Sequence, residues 1–486
     1  MVKRQSLRKR CARIGSRVLG LALGLASVAG GLHPVAAQNN QHCGDVSRNE
    51  TWGSQDAHFV NCTVTIRNSK LIIAQGAQLF MAQGASIVVA SGSTLEIAGN
   101  ADANEPVRIL PNDRDVQPGY WGQIRFQTGS VNSFIRYAFI QGGGSDGQAM
   151  IEAEAPVRLL RADLQKSGGP PIALQANVAG PSLDEAGQSV ANRCGLLNLN
   201  PGSHGRDGIV IKAGDEADIV DSQNWHDFCV PYLIDEDLWI GAPDGPTLTL
   251  TDGVVLRLGR QAELRAGIDA DNPGQLEATG SPDRSVKISN IEETPGSWKG
   301  LTFSPFSEAS SGDNSLYFTE VSFGGSPERA MVQVQGATLA TLDARFMQAP
   351  GYPLELVPSA VGDVTEGLAP VAATAFQGNG VQRIKVLSAQ VAPDLTENST
   401  WKHPGVPLEL DGDLSLRGQA RDISFNLERG LQLLFASQAA LTVEAGAYLR
   451  VDASRSSPVR LLGLTPEAGS WRGLRLMDGA KGAELT

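Results

Sequence analysis

Charge, aromatic rings and sulfur are all scarce in this 486-residue chain: charged residues make up 19%, aromatic residues 6%, and there are five cysteines. None of the cysteines forms a C-x-x-C pair, which excludes a four-cysteine zinc module. The six histidines include no H-E-x-x-H, and no G-x-x-x-x-G-K-[ST] loop occurs, so zinc-peptidase and P-loop phosphate chemistry are excluded as well. The 55 glycines have no three-residue period, which rules out a collagen-like chain. After Gln38 no apolar run is long enough to cross a bilayer. What is present is a 41% hydrophobic content, ample for a core and incompatible with a wholly disordered chain.

The charge is unevenly spread. The formal net charge is −12, yet residues 1–37 hold seven basic residues (Lys3, Arg4, Arg8, Lys9, Arg10, Arg13, Arg17) and no acidic one. Taking those seven away leaves 33 positive against 52 negative charges, a net of −19. A body so acidic repels phosphate backbones, and no nucleic-acid partner is expected. The basic start, the apolar run Val18 to Leu32 and the small residues Val35-Ala36-Ala37 have the order of a secretory signal peptide, predicted to leave a mature chain that starts at Gln38. Cys11 lies in that leader. The remaining four, Cys43, Cys62, Cys194 and Cys229, are an even set in an oxidising compartment and suggest two disulfides. Pairing Cys43 with Cys62 and Cys194 with Cys229 closes the shortest loops, although three connectivities and buried free thiols all remain open.

An eight-residue period runs through 70–101, which divides into KLIIAQGA, QLFMAQGA, SIVVASGS and TLEIAGNA. Leu71, Leu79, Ile87 and Leu95 share one phase, and Ile73, Met81, Val89 and Ile97 share another two residues later. A two-residue offset puts both apolar positions on one side of a strand. Gly76, Gly84 and Gly92 then supply the backbone freedom that a corner requires. Each octad therefore reads as a short strand plus a bend. A meander would need hairpin turns such as Asn-Gly, which this stretch lacks. A coil of about three strands per turn, about 24 residues per rung, stacks its strands in parallel with the Leu and Ile positions inward. No amphipathic helix pattern is found beyond the leader.

A longer period of about 175 residues overlies the octads. Trp52, Trp225 and Trp401 occupy one phase of it, and Trp121, Trp298 and Trp471 another. Gly119-Tyr120-Trp121-Gly122 matches Gly296-Ser297-Trp298-Lys299-Gly300 and Gly469-Ser470-Trp471-Arg472-Gly473. Val107-Arg108-Ile109 matches Val286-Lys287-Ile288 and Val459-Arg460-Leu461, while Ala162, Leu164 and Leu174 return as Ala344, Phe346 and Leu356. After a short lead-in at 38–46 the chain divides into copies at 47–220, 221–396 and 397–486, the third incomplete. An incomplete last copy is expected to leave a frayed final rung, or to mean that the natural product is longer.

The segments Trp121-Gly122-Gln123-Ile124-Arg125-Phe126 and Trp298-Lys299-Gly300-Leu301-Thr302-Phe303 carry a W-x-G-I-x-F pattern, the first without the spacer. Asn132, Ile135, Tyr137, Gly142 and Gly143 are followed in the next copy by Asn314, Leu316, Phe318, Gly324 and Gly325. The arrangement resembles bacterial exported repeat proteins of the pectin-lyase-like superfamily, which are right-handed parallel β-helices. The resemblance covers nearly all of the chain after the leader. It implies an all-β solenoid and leaves function open, because one fold hosts many activities.

Enzyme signatures of that superfamily are thin. Gly202-Ser203-His204-Gly205 and Arg383-Ile384-Lys385 are like hydrolase motifs, but they fall in different copies, and neither Asn-Thr-Asp nor Asp-Asp occurs. His204 reads as an exposed loop residue and Arg383-Ile384-Lys385 as a repeat strand. Asp269 and Asp271 form the densest acidic knot and are weak calcium candidates; a solvated turn is the simpler reading. Trp121, Trp298 and Trp471 could stack on a sugar ring, yet a residue repeated in every copy reads first as structural. The expectation is an exported, non-catalytic binding or adhesion protein for a polysaccharide, a cell-surface glycan or another surface partner, with no cofactor. The alternative is a polysaccharide lyase or glycoside hydrolase, for which one copy should gather carboxylates with Arg or Lys that the other copies lack.

Overall fold

The computed structural model describes residues 40–115, 117–183, 197–214, 218–307, 313–368, 374–388, 394–419 and 421–485. The expected leader, 1–37, and Cys194 lie outside them. Short strands dominate, and every pairing between named strands is parallel. The octads explain why. Leu71, Ile73, Leu79, Met81, Ile87, Val89, Leu95 and Ile97 are all 0% exposed, so both apolar phases face one interior. Gly76, Gly84 and Gly92 carry φ of +72°, +70° and +70° at the bends between them, a region that side chains with a Cβ rarely occupy. Leu71 pairs with Leu95, three octads further along.

That spacing of 24 recurs between Ile135 and Leu159, Tyr232 and Leu256, and Ile384 and Leu408. Elsewhere loops lengthen it: Ile87 pairs with Ile124, and Leu264 with Leu301, each 37 residues away. The strands form columns. One runs through Ile87–Val89, Ile124–Phe126, Ile151–Ala153, Ile172–Gln175, Ile209–Lys212 and Tyr232–Ile234. A second runs from Leu238–Ile240 through Glu263–Ala266, Gly300–Phe303, Val332–Val334, Leu354–Leu356 and Ile384–Val386 to Leu408–Leu410. A third passes through Asp394–Leu395, Leu414–Leu416, Ala440–Val443 and Gly473–Leu476. The strands that follow Trp121, Trp298 and Trp471 therefore belong to three different columns.

The bends recur with the longer period. Tyr137 and Phe318 have φ of +47° and +48°, Arg161 and Asp343 +56° and +48°, and Lys166 and Gln348 +54° and +59°. Two helices were not foreseen from the sequence: Ala176–Leu183 and Val361–Leu368. Each follows the strand that ends at Gln175 or Leu356 and packs apolar residues inward, Val178, Ala179 and Leu183 in one and Val361, Val364 and Leu368 in the other. With eight residues apiece, including Gly180 and Pro181 in the first, they are too short to show a periodic stripe. No helix among the described residues is long and apolar enough to cross a membrane.

At the first strands the disulfide Cys43–Cys62 ties Gln41–Val46 to Ala57–Ile66, with Cα atoms 5.0 Å apart. Beside it the rings of His42 and Trp52 stack at 3.8 Å, and His58 lies 5.2 Å from His42. At the other end Leu462, Leu476 and Met477 are 44%, 55% and 53% exposed.

Candidate functional site

The repeated tryptophans are covered. Trp121 and Trp298 are both 0% exposed, and their Nε1–H groups donate to the carbonyls of Gln141 at 2.7 Å and Ser322 at 2.9 Å. Neither indole has a face left for a sugar, so the stacking role considered for them is corrected to one in the wall. The glycine turn accounts for their fit. A Cβ on Gly143 would stand 2.7 Å from the Trp121 ring, and one on Gly324 2.7 Å from the Trp298 ring. The structural counterparts of Gly324-Gly325 are thus Gly143-Gly144, one residue on from the pair that sequence alignment selects. Trp471 is half-buried and stacks on Phe435 at 4.5 Å.

Other candidates are absorbed by local structure. Asp269 Oδ1 accepts hydrogen bonds from the backbone N–H groups of Asp271 and Asn272 and from the Asn272 side chain, closing a turn. No group of three or more potential metal ligands gathers among the described residues. His204 is half-buried rather than exposed: Nδ1 accepts from the Ser167 N–H at 3.1 Å while Nε2 bonds the Leu199 carbonyl. Burial lowers its pKa. Cys229 is disulfide-bonded. Ile384 sits in a strand with its side chain fully buried, which places Arg383 and Lys385 on the outside.

Those two outward residues belong to a row that sequence reasoning missed. Along the second column, one register line runs Arg265, Thr302, Gln333, Glu355, Lys385, Glu409. In a parallel sheet such neighbours stand about 4.8 Å apart. The line is hydrogen-bonded almost throughout. Thr302 Oγ1 donates to Glu263 Oε1 at 2.6 Å, and Arg329 Nη2 reaches the same oxygen at 2.5 Å. Gln333 Nε2 donates to Glu355 Oε1 at 2.9 Å, and Lys385 Nζ pairs with Glu355 Oε2 at 3.0 Å. Arg383 Nε lies 3.0 Å from Glu409 Oε2, and Tyr352 donates its hydroxyl to Glu409 Oε1 at 2.9 Å. Burial, reinforced by that bond, raises the pKa of Tyr352. Glu263 and Glu409 are only 8% and 7% exposed although they face outward, which reflects cover from their neighbours.

The row runs from the second copy to Glu409 in the third, and its last three members differ from those one repeat earlier. That earlier line runs Arg125, Glu152, Ala173, Val210, Leu233. Glu355, Lys385 and Glu409 therefore replace Ala173, Val210 and Leu233. A comparison of outward positions between the copies carries this signal in the sequence; spacing alone does not, because successive members lie 22, 30 and 24 residues apart. Chemically the row offers alternating donors and acceptors at strand spacing, with every carboxylate on it already facing a donor. No protein family, curated protein or solved structure matches the chain.

Proposed function

We propose that the chain is an exported protein built as a right-handed parallel β-helix of the pectin-lyase-like kind, in three copies, and that it binds carbohydrate, without altering it, along the polar row that runs from its second copy into its third. Parallel columns, an inward apolar line in each strand and a basal partner spacing of 24 support the β-helix. The observation that carries the function is the row Thr302–Gln333–Glu355–Lys385–Glu409. Its period is close to the advance of one sugar unit in an extended glycan, and its mixed donors and acceptors suit vicinal hydroxyls. The fold does not require these groups, since the line one repeat earlier does without three of them.

A lyase or hydrolase is the second reading, favoured by the carboxylates that gather with Arg and Lys on the outer face, although the first copy likewise brings Glu152 and Glu154 together with Arg125 and Lys212. Against it, Glu263, Glu355 and Glu409 each hold a cation, whereas a general acid or base needs a group free to exchange its proton at the substrate. Calorimetric titration with neutral and acidic oligosaccharides, alongside an assay for new reducing ends or unsaturated products, separates the two. Saturable binding that is lost in Glu355→Ala and Lys385→Ala, with no product, is the expected result. Product formation abolished by the same substitutions overturns it in favour of the enzyme, and absence of binding to every glycan overturns both.

A further inference from the structure

A different surface of the first copy carries four arginines, and it sits apart from the polar row. The strand Ser133–Gln141 bends at Tyr137, so that Phe134–Arg136 pair with Glu96–Ala98 while Ala138–Ile140 pair with Val107–Ile109. The next strand, Val157–Gln165, bends in the same way at Arg161. Side chains that point outward from the two legs diverge around this corner. Arg136 and Arg158 lie on one leg, Arg108 on the other, and Arg161 at the corner; all four are exposed. The Arg136 guanidinium lies over the Phe134 ring at 5.5 Å and that of Arg108 over Phe139 at 5.7 Å.

These cations are uncommitted. Among the described residues no carboxylate lies within ion-pairing distance of Arg108, Arg136, Arg158 or Arg161. The nearby acids are engaged or peripheral: Glu96 pairs with Lys70 at 2.7 Å, Asp163 accepts from Asn200 at 2.6 Å, and Asp102 and Glu105 stand on the adjoining loop. The fold does not demand the arginines either. In the second copy the same positions are Lys287, Tyr317, Ala340 and Asp343, and the aromatic positions Phe134 and Phe139 become Ser315 and Glu320. Beside the corner a cleft of about 380 Å³ is lined by Arg136, Arg161, Tyr137, Asn100 and Asp102, among others. A body of net charge −19 after the leader thus keeps one unpaired basic ridge with half-buried aromatic and aliphatic side chains between the charges.

We propose that this ridge docks on a lipid surface displaying anionic phosphate headgroups, with Arg136 and Arg161 holding one phosphate at the mouth of the cleft. A diverging ridge meets a plane more readily than it encloses a polymer chain. Guanidinium groups match phosphate oxygens bidentately, and aromatic rings favour the boundary between headgroup and acyl chain. The charge pattern supplies the complementarity: the rest of the surface is repelled from anionic lipid, so the ridge sets the orientation.

Sedimentation with vesicles tests this, using phosphatidylcholine alone or mixed with phosphatidylglycerol. The protein is expected to bind the mixed vesicles, and to be released as salt rises. Arg136→Gln with Arg161→Gln should weaken that binding roughly 30-fold, whereas Lys287→Gln, the second-copy counterpart of Arg108, should leave it unchanged. The proteins share one N-terminus, so differences among them report the ridge, and matching thermal melts exclude misfolding. Equal binding to phosphatidylcholine, or equal binding by the double variant, overturns the proposal. So does saturable binding of polygalacturonate or heparin that the double variant loses while vesicles go unbound; the ridge would then serve a soluble polyanion.

Discussion

The Nε2 atom of His42 lies 3.0 Å from Nδ1 of His58, whose own Nε2 lies 2.9 Å from the carbonyl of Gly53. The carbonyl can only accept, so His58 Nε2 donates to it. Both rings share a stack with Trp52. Burial, then the neighbouring His58, pull the His42 pKa down to about 4, against a smaller opposing pull from Glu50.

A lowered histidine pKa has a definite sign for stability. Above the unfolded value of about 6.5 the full contribution is present, and it is lost as pH falls towards the folded value because the unfolded chain then binds the extra proton. His204 and His403, both lowered by burial, act in the same direction. Thermal melts should drop between pH 6.5 and pH 4, and His42→Gln should flatten part of that slope. A melting temperature constant across this window would refute the assignment.

Cys62→Ser opens a link between residues 19 apart and leaves the disulfide at Cys229 in place. The loss should be about 3 kcal/mol for the structure it constrains. Hydrogen exchange is expected to rise in 41–66 and to stay unchanged beyond about residue 130, since stacked strands pass stability chiefly to their neighbours. Uniform acceleration along the chain would count against local support.

Gly143→Ala and Gly324→Ala should each destabilise by about 1–3 kcal/mol, because both press a methyl group against a buried indole. Combining Gly324→Ala with Trp298→Phe should recover part of the loss by removing the ring that is struck. A denaturant midpoint unaffected by either glycine substitution would mean that the wall yields.

Lys385→Ala leaves Glu355 facing outward with its Gln333 bond and no cation. A cost of about 1–2 kcal/mol is expected, smaller than for a fully buried pair because the lysine side chain keeps some exposure. Replacing both partners by Gln should cost less than the single change, which a double-mutant cycle reads directly.

Residues that repeat were legible in the sequence, and residues that meet across columns were not. Leu71 and Leu95 could be matched because their octads are of equal length, and the parallel sense followed from the missing hairpin turns. Trp121 and Trp298 could be assigned to one phase, and burial then decided between wall and platform. Glu355, Lys385 and Glu409 could not be placed together, because unequal loops separate them and their side chains meet only after winding. Trp52 had a phase of the longer period, but His42 and His58 belong to none, so nothing joined the two imidazoles to the indole beforehand. The helices were missed because eight residues hold barely two turns.

The three tryptophan strands lie in three separate columns, so the copies do not repeat their bearings. A ligand site written at the same place in each would look out in different directions instead of lining one trench. A feature carried by a single copy, as the four arginines are by the first, is therefore shown to the surroundings on one bearing and not three.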